Sequence, residues 1–324
     1  MKPKSVPSIG VSPATYRSLQ EPRLIDGAAL LELDPASNGP DYLERVVAIW
    51  RRQHDPTSWV TSLIPRLPSL RWVHTDTVGV ERLPLKTLSE LGIILTNARG
   101  AFAVPMAEWI LCTILMSAKH MPRLLEEAQR ACWAVNVLPS DLRGRTVMIL
   151  GFGSVGRAVT SLCHALGMRV FCVRRSPRPE STAEATVFSL SDDWRSKLAE
   201  CDVLVVALPL TAETHGLVDH DVLSRLRPGA QLINVARAQI VDEEAMIAGL
   251  RAGRLREAWL DVFSVEPLPA NDLLWKEPNI YITPHRSAIG ESNESATRLL
   301  FLRELQSFLK RDEFSNYVDL SRGY

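Results

Sequence analysis

Residues 146–156 read TVMILGFGSVG, a strand-like apolar run leading straight into Gly151-Phe152-Gly153-Ser154-Val155-Gly156. A helical pattern follows at Val155, Val159, Leu162 and Leu166. A G-x-G-x-x-G between a strand and a helix has a physical purpose. The first glycine permits the tight turn, the second lets backbone approach a pyrophosphate, and the third lets the helix pack closely on the strand. The helix start then offers free N–H groups and positive potential to an anion. Gly151, Gly153, Ser154, Val155 and Gly156 are therefore expected to cradle a dinucleotide.

Outward from this loop the chain alternates. Apolar runs at 146–150, 169–173, 203–208, 231–235, 258–262 and 281–283 read as strands. Most are separated by segments long enough for helical crossovers. Continuous apolar strands with such crossovers predict an α/β domain with a parallel sheet covered on both faces, doubly wound in the Rossmann manner. Upstream, Pro105 suits a first helical position, and residues 106–118 are apolar nearly all round, which predicts a connector buried on both sides. Pro122 should kink or end that helix.

The first 80 residues are less regular. Strands are expected at 28–33, 70–74 and 92–96, a helix over 41–50 from the spacing of Leu43, Val46, Val47 and Trp50, and a short helix at 85–91. Leu299, Leu300, Leu302, Leu305 and Leu309 mark a tail helix expected to return to the N-terminal part. The expected division is a discontinuous substrate domain of 1–104 plus 290–324, around a dinucleotide-binding domain of 105–289. Substrate would bind in the cleft, with closure excluding water.

Composition narrows the partners. The 324 residues carry 37 Lys+Arg and 37 Asp+Glu, a formal net charge of zero. A binder of nucleic acid or of anionic membranes would show a basic excess, so neither partner is expected. No apolar run reaches the length of a membrane span, and Met1–Gly10 is no secretory signal. The five cysteines form no C-x-x-C, so neither a metal cage nor a disulfide framework is expected, and the setting predicted is cytoplasmic.

Cofactor choice is read at the end of the second strand, Val173-Arg174-Arg175-Ser176. A site for NAD usually has Asp or Glu there to accept from the ribose 2′-hydroxyl. Here no acid stands at the strand end. Guanidinium groups bind a 2′-phosphate through charge-assisted, often bidentate bonds, so NADP is favoured, with NAD as a second cofactor.

Three further segments follow strand ends, where α/β sites gather. They are residues 233–237 (INVAR), 260–269 (LDVFSVEPLP) and 283–285 (TPH). Together with 207–211 (ALPLT), Thr214, Gly216-Leu217 and residues 97–108, this order of motifs resembles the D-isomer-specific 2-hydroxyacid dehydrogenase family, over roughly 77–290. The resemblance implies a flavodoxin-like substrate domain and an Arg–Glu–His active site on Arg237, Glu266 and His285. It implies Leu208, Pro209, Thr214 and Ala236 at the cofactor and Asp261 at the nicotinamide carboxamide. It also implies that backbone N–H groups near Val78 and Gly79 hold the substrate carboxylate, together with Arg237 and His285. The chemistry suits these residue types. Reduction of a 2-keto acid needs a proton for the carbonyl oxygen, which an imidazolium supplies near neutral pH. Glu266 would orient the ring and stabilise its charged form, while Arg237 would hold the carboxylate and polarise the carbonyl. Two departures are noted, Ala238 where the family commonly has glycine and Glu81 where an aspartate is usual.

The activity implied is reduction of a small 2-keto acid of the glyoxylate or hydroxypyruvate type by a homodimer. Two other readings stay open. One is a non-catalytic dinucleotide-sensing co-regulator on the same fold, and the other is a phosphite-type dehydrogenase.

Overall fold

The computed structural model describes residues 6–19, 24–25, 27–34, 36, 38–133, 136–175 and 182–323. The chain divides into two units, Met1–Ala101 with Glu291–Tyr324, and Phe102–Gly290.

Unit 1 is built on strands β1 (Ser8–Val11), β2 (Leu24–Ile25), β3 (Ala28–Glu32), β4 (Val46–Arg51), β5 (Trp72–Thr75) and β6 (Ile94–Asn97), in the order β2-β3-β1-β4-β5-β6. All pairs are parallel except β2 with β3. Without that short antiparallel edge the order is that of flavodoxin. The helix expected over 41–50 is corrected: only Pro40–Leu43 is helical, and Val46–Arg51 is the central strand of the sheet. The apolar residues there point to both faces. Val46 and Ile49 enter one core cluster, Ala48 and Trp50 the other. A strand buried on both sides has no period-2 signature, and its apolar spacing then imitates a helix. Strand β1 (SIGV) was not expected from the sequence.

The tail helix, Asn293–Lys310, belongs to this unit. Its buried face is Thr297, Phe301, Glu304 and Leu305, whereas Leu299 is 66% exposed. Of the expected leucines, Leu302, Leu305 and Leu309 pack on this core together with Phe301, whose ring stacks on Trp50 at 3.9 Å and on Trp72 at 5.8 Å. Rings bury more apolar area than leucine and gain from stacking, so they take the inward positions.

Unit 2 carries β7 (Thr146–Leu150), β8 (Arg169–Arg174), β9 (Thr186–Ser189), β10 (Val203–Val206), β11 (Ala230–Asn234), β12 (Leu255–Leu260) and β13 (Ile280–Ile282), ordered β13-β12-β11-β10-β7-β8-β9. Every pair is parallel. The strand sequence therefore reverses direction between β7 and β10, the doubly wound arrangement whose crevice lies at the carboxyl ends of those strands. Two core clusters cover the two faces of the sheet. β9 was missed by the sequence reading.

The helix expected from Pro105 begins at Ala103, with the proline in its first turn. It is buried on one side only, through Ala107, Ile110, Thr113, Ile114 and Ser117; Val104 is 60% and Leu115 37% exposed. The expectation of burial on both sides is corrected accordingly. Pro122 neither kinks nor ends this helix, which stops at Ala118; the proline opens the next, Met121–Gln129. Among the described residues no helix is long and apolar enough to cross a membrane, and no cluster of His, Cys, Asp and Glu is placed to hold a metal ion.

Phe301 is fully buried between aromatic partners. Phe301→Ala removes that packing and leaves a cavity, so the transition of unit 1 should move to lower denaturant by about 3–5 kcal/mol. Near-UV circular dichroism of Trp50 and Trp72 during chemical unfolding measures it.

Candidate active site

The glycine loop has the geometry that a pyrophosphate cradle requires. Gly151 has φ +117°, and a Cβ there would lie 2.4 Å from the Ala207 carbonyl oxygen. A Cβ at Gly156 would lie 2.0 Å from the Gly151 oxygen, so the helix Ser154–Ala165 sits as close to the loop as only glycine allows. Gly153 differs: a Cβ there would meet nothing within 4 Å, and no side chain caps the helix that it opens. Open space in front of uncapped N–H groups, including those of Ser154 and Val155, is what a bound diphosphate requires. These residues fit the dinucleotide that the motif implies.

The loop after β10 forms one wall. Leu208 is buried. Thr214 is buried too, and its hydroxyl is used inside the loop: Oγ1 donates to the Pro209 carbonyl at 2.7 Å and accepts from Thr211 N at 2.8 Å. Thr214 thus holds Leu208 and Pro209 in place. Across the glycine loop, β8 ends at Arg174, and Arg175 follows with its Nε 3.2 Å from a Glu213 carboxylate oxygen. Ser176 lies outside the described residues.

The remaining chemistry sits after β11, β12 and β13. Beyond β11, Asn234 shapes the turn: its Oδ1 accepts from Ala236 N at 3.1 Å and its Nδ2 donates to the Arg237 carbonyl at 3.0 Å. Arg237 in turn donates from Nη1 to the Ala236 carbonyl at 2.7 Å. Beyond β12, Asp261 is 1% exposed and receives the loop that follows β13. Oδ1 accepts from the Thr283 hydroxyl at 2.6 Å and from Arg286 N at 2.8 Å, while Oδ2 accepts from Ser287 N at 2.8 Å. A carboxylate has about four lone-pair positions, so one on Oδ2 is left for a further donor.

Between those anchors His285 adopts φ +53°, the left-handed region that a non-glycine residue enters at a cost of about 1–3 kcal/mol. The backbone turn is closed by His285 N donating to the Thr283 carbonyl at 3.0 Å. The ring meets Glu266: Nδ1 lies 2.9 Å from Oε2, and Glu266 Oε1 accepts from Phe263 N at 3.0 Å. Burial alone would push the Glu266 carboxyl up. The hydrogen bonds from His285 and Phe263 and the charges of His285 and Arg237 outweigh that and hold it below its ordinary value. Glu266 is therefore the acceptor, Nδ1–H donates, and Nε2 is the nitrogen left to act on a substrate.

Unit 2 thus brings together the cradle, Arg237, Glu266 and His285. Val78 and Gly79 belong to unit 1, where their carbonyls accept from Asn97 Nδ2 at 2.9 Å and from the Thr77 hydroxyl at 3.0 Å. The sequence reading quoted Asn234 and Thr283 without assigning them work and passed over Glu213. Asn and Thr next to strand ends are a signal for turn-holding hydrogen bonds. The Glu213 contact joins two separate loops and leaves no sequence pattern.

A dinucleotide cradle and a histidine–carboxylate pair, carried on a parallel sheet beside an arginine, are the equipment of a nicotinamide-dependent dehydrogenase. The family model for D-isomer specific 2-hydroxyacid dehydrogenase, NAD binding domain, matches residues 111–287. A glyoxylate/hydroxypyruvate reductase B of Pectobacterium atrosepticum is 34% identical over 222 residues, 67% of this chain and 69% of the relative. Among solved structures, a D-isomer specific 2-hydroxyacid dehydrogenase from Xanthobacter autotrophicus in complex with NADPH and MES is 27% identical, with TM-score 0.81, covering 99% of this chain and 100% of that one. An NADPH-dependent glyoxylate/hydroxypyruvate reductase of Sinorhizobium meliloti in complex with NADP and malonate is also 27% identical, with TM-score 0.75 and 98% of both chains covered. The chain belongs to the D-isomer specific 2-hydroxyacid dehydrogenase family and is an oxidoreductase.

The depressed Glu266 carboxyl has a consequence for stability. A folded-state pKa below the unfolded one adds stability that is complete above the ordinary glutamate value of 4.5 and is lost as pH falls through the folded value. Thermal melts of wild type and Glu266→Gln should differ at neutral pH and converge in acid. Parallel curves throughout would contradict the pairing.

Proposed function

We propose that the protein reduces small 2-keto acids to D-2-hydroxy acids with NADPH as preferred cofactor and NADH as a second. The observation that carries this reading is the 2.9 Å contact between His285 Nδ1 and Glu266 Oε2, on the same unit as the glycine cradle. The named relatives and the NADP-bound neighbours support it. The nicotinamide, when bound, supplies the hydride for the substrate's carbonyl carbon. Gly151, Gly153 and Gly156, with the first turn at Ser154 and Val155, hold the pyrophosphate. Leu208, Pro209 and Ala236 line the cofactor, Thr214 holds that lining in place, and the remaining lone pair of Asp261 is available to the carboxamide. Arg174, Arg175 and Ser176 read the 2′-phosphate.

His285 gives the proton from Nε2 to the carbonyl oxygen, and Glu266 keeps the ring turned until transfer. The His285 side chain is 44% exposed, open enough for a substrate to reach. Arg237 binds the substrate carboxylate and stabilises the developing alkoxide, which belongs in the class of fixed charges aimed at the transition state. Val78 and Gly79 contribute backbone N–H groups, their carbonyls being tied back within unit 1. The free cysteines among the described residues fit a reducing, cytoplasmic setting.

We also propose a homodimer. The uncovered side of the helix Ala103–Ala118 exposes Val104 and Leu115, and Met121 and Leu125 of the next helix are 37% and 51% exposed. Apolar exposure along consecutive helices is the signature of an interface. Sedimentation velocity should return twice the chain mass of 36.1 kDa, and a monomer at micromolar concentration would reject the dimer.

The reaction is tested by initial rates with a panel of 2-keto acids, glyoxylate and hydroxypyruvate among them. His285→Ala should lower kcat roughly 10²–10⁴-fold. Turnover unaffected in His285→Ala, or no turnover of any keto acid, would sink the reading.

A further inference from the structure

At the cofactor edge Arg175 is paired with a glutamate that has been given no role above. Arg175 Nε and a Glu213 carboxylate oxygen lie 3.2 Å apart, with side chains 42% and 57% exposed. Arg175 directly follows β8, and Glu213 lies in the loop after β10. Those strands flank β7, whose glycine loop touches both: Gly151 N donates to the Val173 carbonyl at 2.8 Å, and the place of a Cβ on Gly151 lies against the Ala207 carbonyl. The pair therefore joins the two walls of the crevice, at the strand end where such folds read the 2′ substituent of the adenosine ribose.

We propose that Glu213 is a second determinant of cofactor choice: it accepts the 2′-hydroxyl of NAD(H), and it gives up Arg175 to the 2′-phosphate of NADP(H). The proposal rests on the reading of unit 2 as the nicotinamide dinucleotide site. A fold of this type that binds NAD needs an acid near the end of its second strand. Here that strand ends in Arg174 and Arg175, and the acid arrives from the neighbouring loop. Its backbone is held, because the next residue, Thr214, is buried and closes the loop through the Pro209 carbonyl and Thr211 N. Its side chain stands in solvent and can turn away from an incoming phosphate at little cost.

The two cofactors then meet different electrostatics. A phosphate monoester brings about −1.5 to −2 charges and strong acceptor oxygens. Arg175 exchanges the Glu213 oxygen for a phosphate oxygen, and the carboxylate left behind repels the phosphate. A hydroxyl brings no charge, so the ion pair survives and Glu213 gains a donor. Glu213 therefore narrows the preference that two arginines alone would impose.

Two fragments isolate the 2′ position, 2′,5′-ADP and 5′-AMP, titrated calorimetrically into the full-length wild type and into Glu213→Gln at low salt. The substitution should tighten 2′,5′-ADP about 2- to 5-fold, the scale of an exposed charge pair, and should weaken 5′-AMP by a few-fold as a charged acceptor is lost. With Arg175→Ala as background the gain for 2′,5′-ADP should shrink, since no guanidinium remains to release. Shifts of opposite sign support the proposal. Shifts of the same sign, no shift in either fragment, or a gain kept whole without Arg175 overturn it. A wild type that binds neither fragment fails earlier, at the cofactor reading itself.

Discussion

The carboxylate of Asp261 receives three hydrogen bonds from the segment Thr283 to Ser287 while 1% exposed. A buried acid of this kind is tolerable only because its oxygens are occupied, and the same bonds fix the loop that carries the imidazole. His285 is thereby held at φ +53°, a conformation that its own chain preference would not select. The ring direction, its contact with Glu266 and the freedom of Nε2 follow from that backbone. On the proposed reading, the residue that moves the proton thus depends on an aspartate that need not touch the reacting atoms at all.

Parallel sheets make such arrangements economical. Each strand of unit 2 delivers its carboxyl end to the same edge, so Gly151, Arg174, Glu213, Arg237, Asp261 and His285 converge although they lie far apart in the chain. Short turns held by their own side chains then aim each group. Asn234 holds the turn at Arg237, Thr214 the loop at Leu208 and Pro209, and Thr283 with Asp261 the turn at His285. Polar residues flanking the strands bear much of the precision, while the strands themselves are mostly apolar.

That division explains what could be read from the sequence alone. The strands of unit 2 stand out as apolar runs between crossovers, and the glycine loop is legible because its three glycines answer three separate steric demands. Arg237, Glu266 and His285 were singled out through the order of their motifs; each alone is an ordinary polar residue. The central strand Val46–Arg51 was misread because burial on both faces erases alternation. The tail helix was recognised, but its leucines drew attention away from Phe301, whose partners Trp50 and Trp72 are brought near only by the fold. Glu213 was invisible for the same reason, since ion pairs between loops leave no periodic trace.

The position of Phe301 in the chain bears on biosynthesis. Trp50 and Trp72 form the apolar face that Phe301 covers, yet the whole of unit 2 is translated between them and their partner. At about 5–20 residues per second, the ribosome needs on the order of ten seconds or more to supply it. During that interval unit 2 can acquire its complete sheet, while unit 1 waits with two indole rings unshielded. A nascent chain halted before residue 301 would expose to chaperones a surface that the finished molecule never shows.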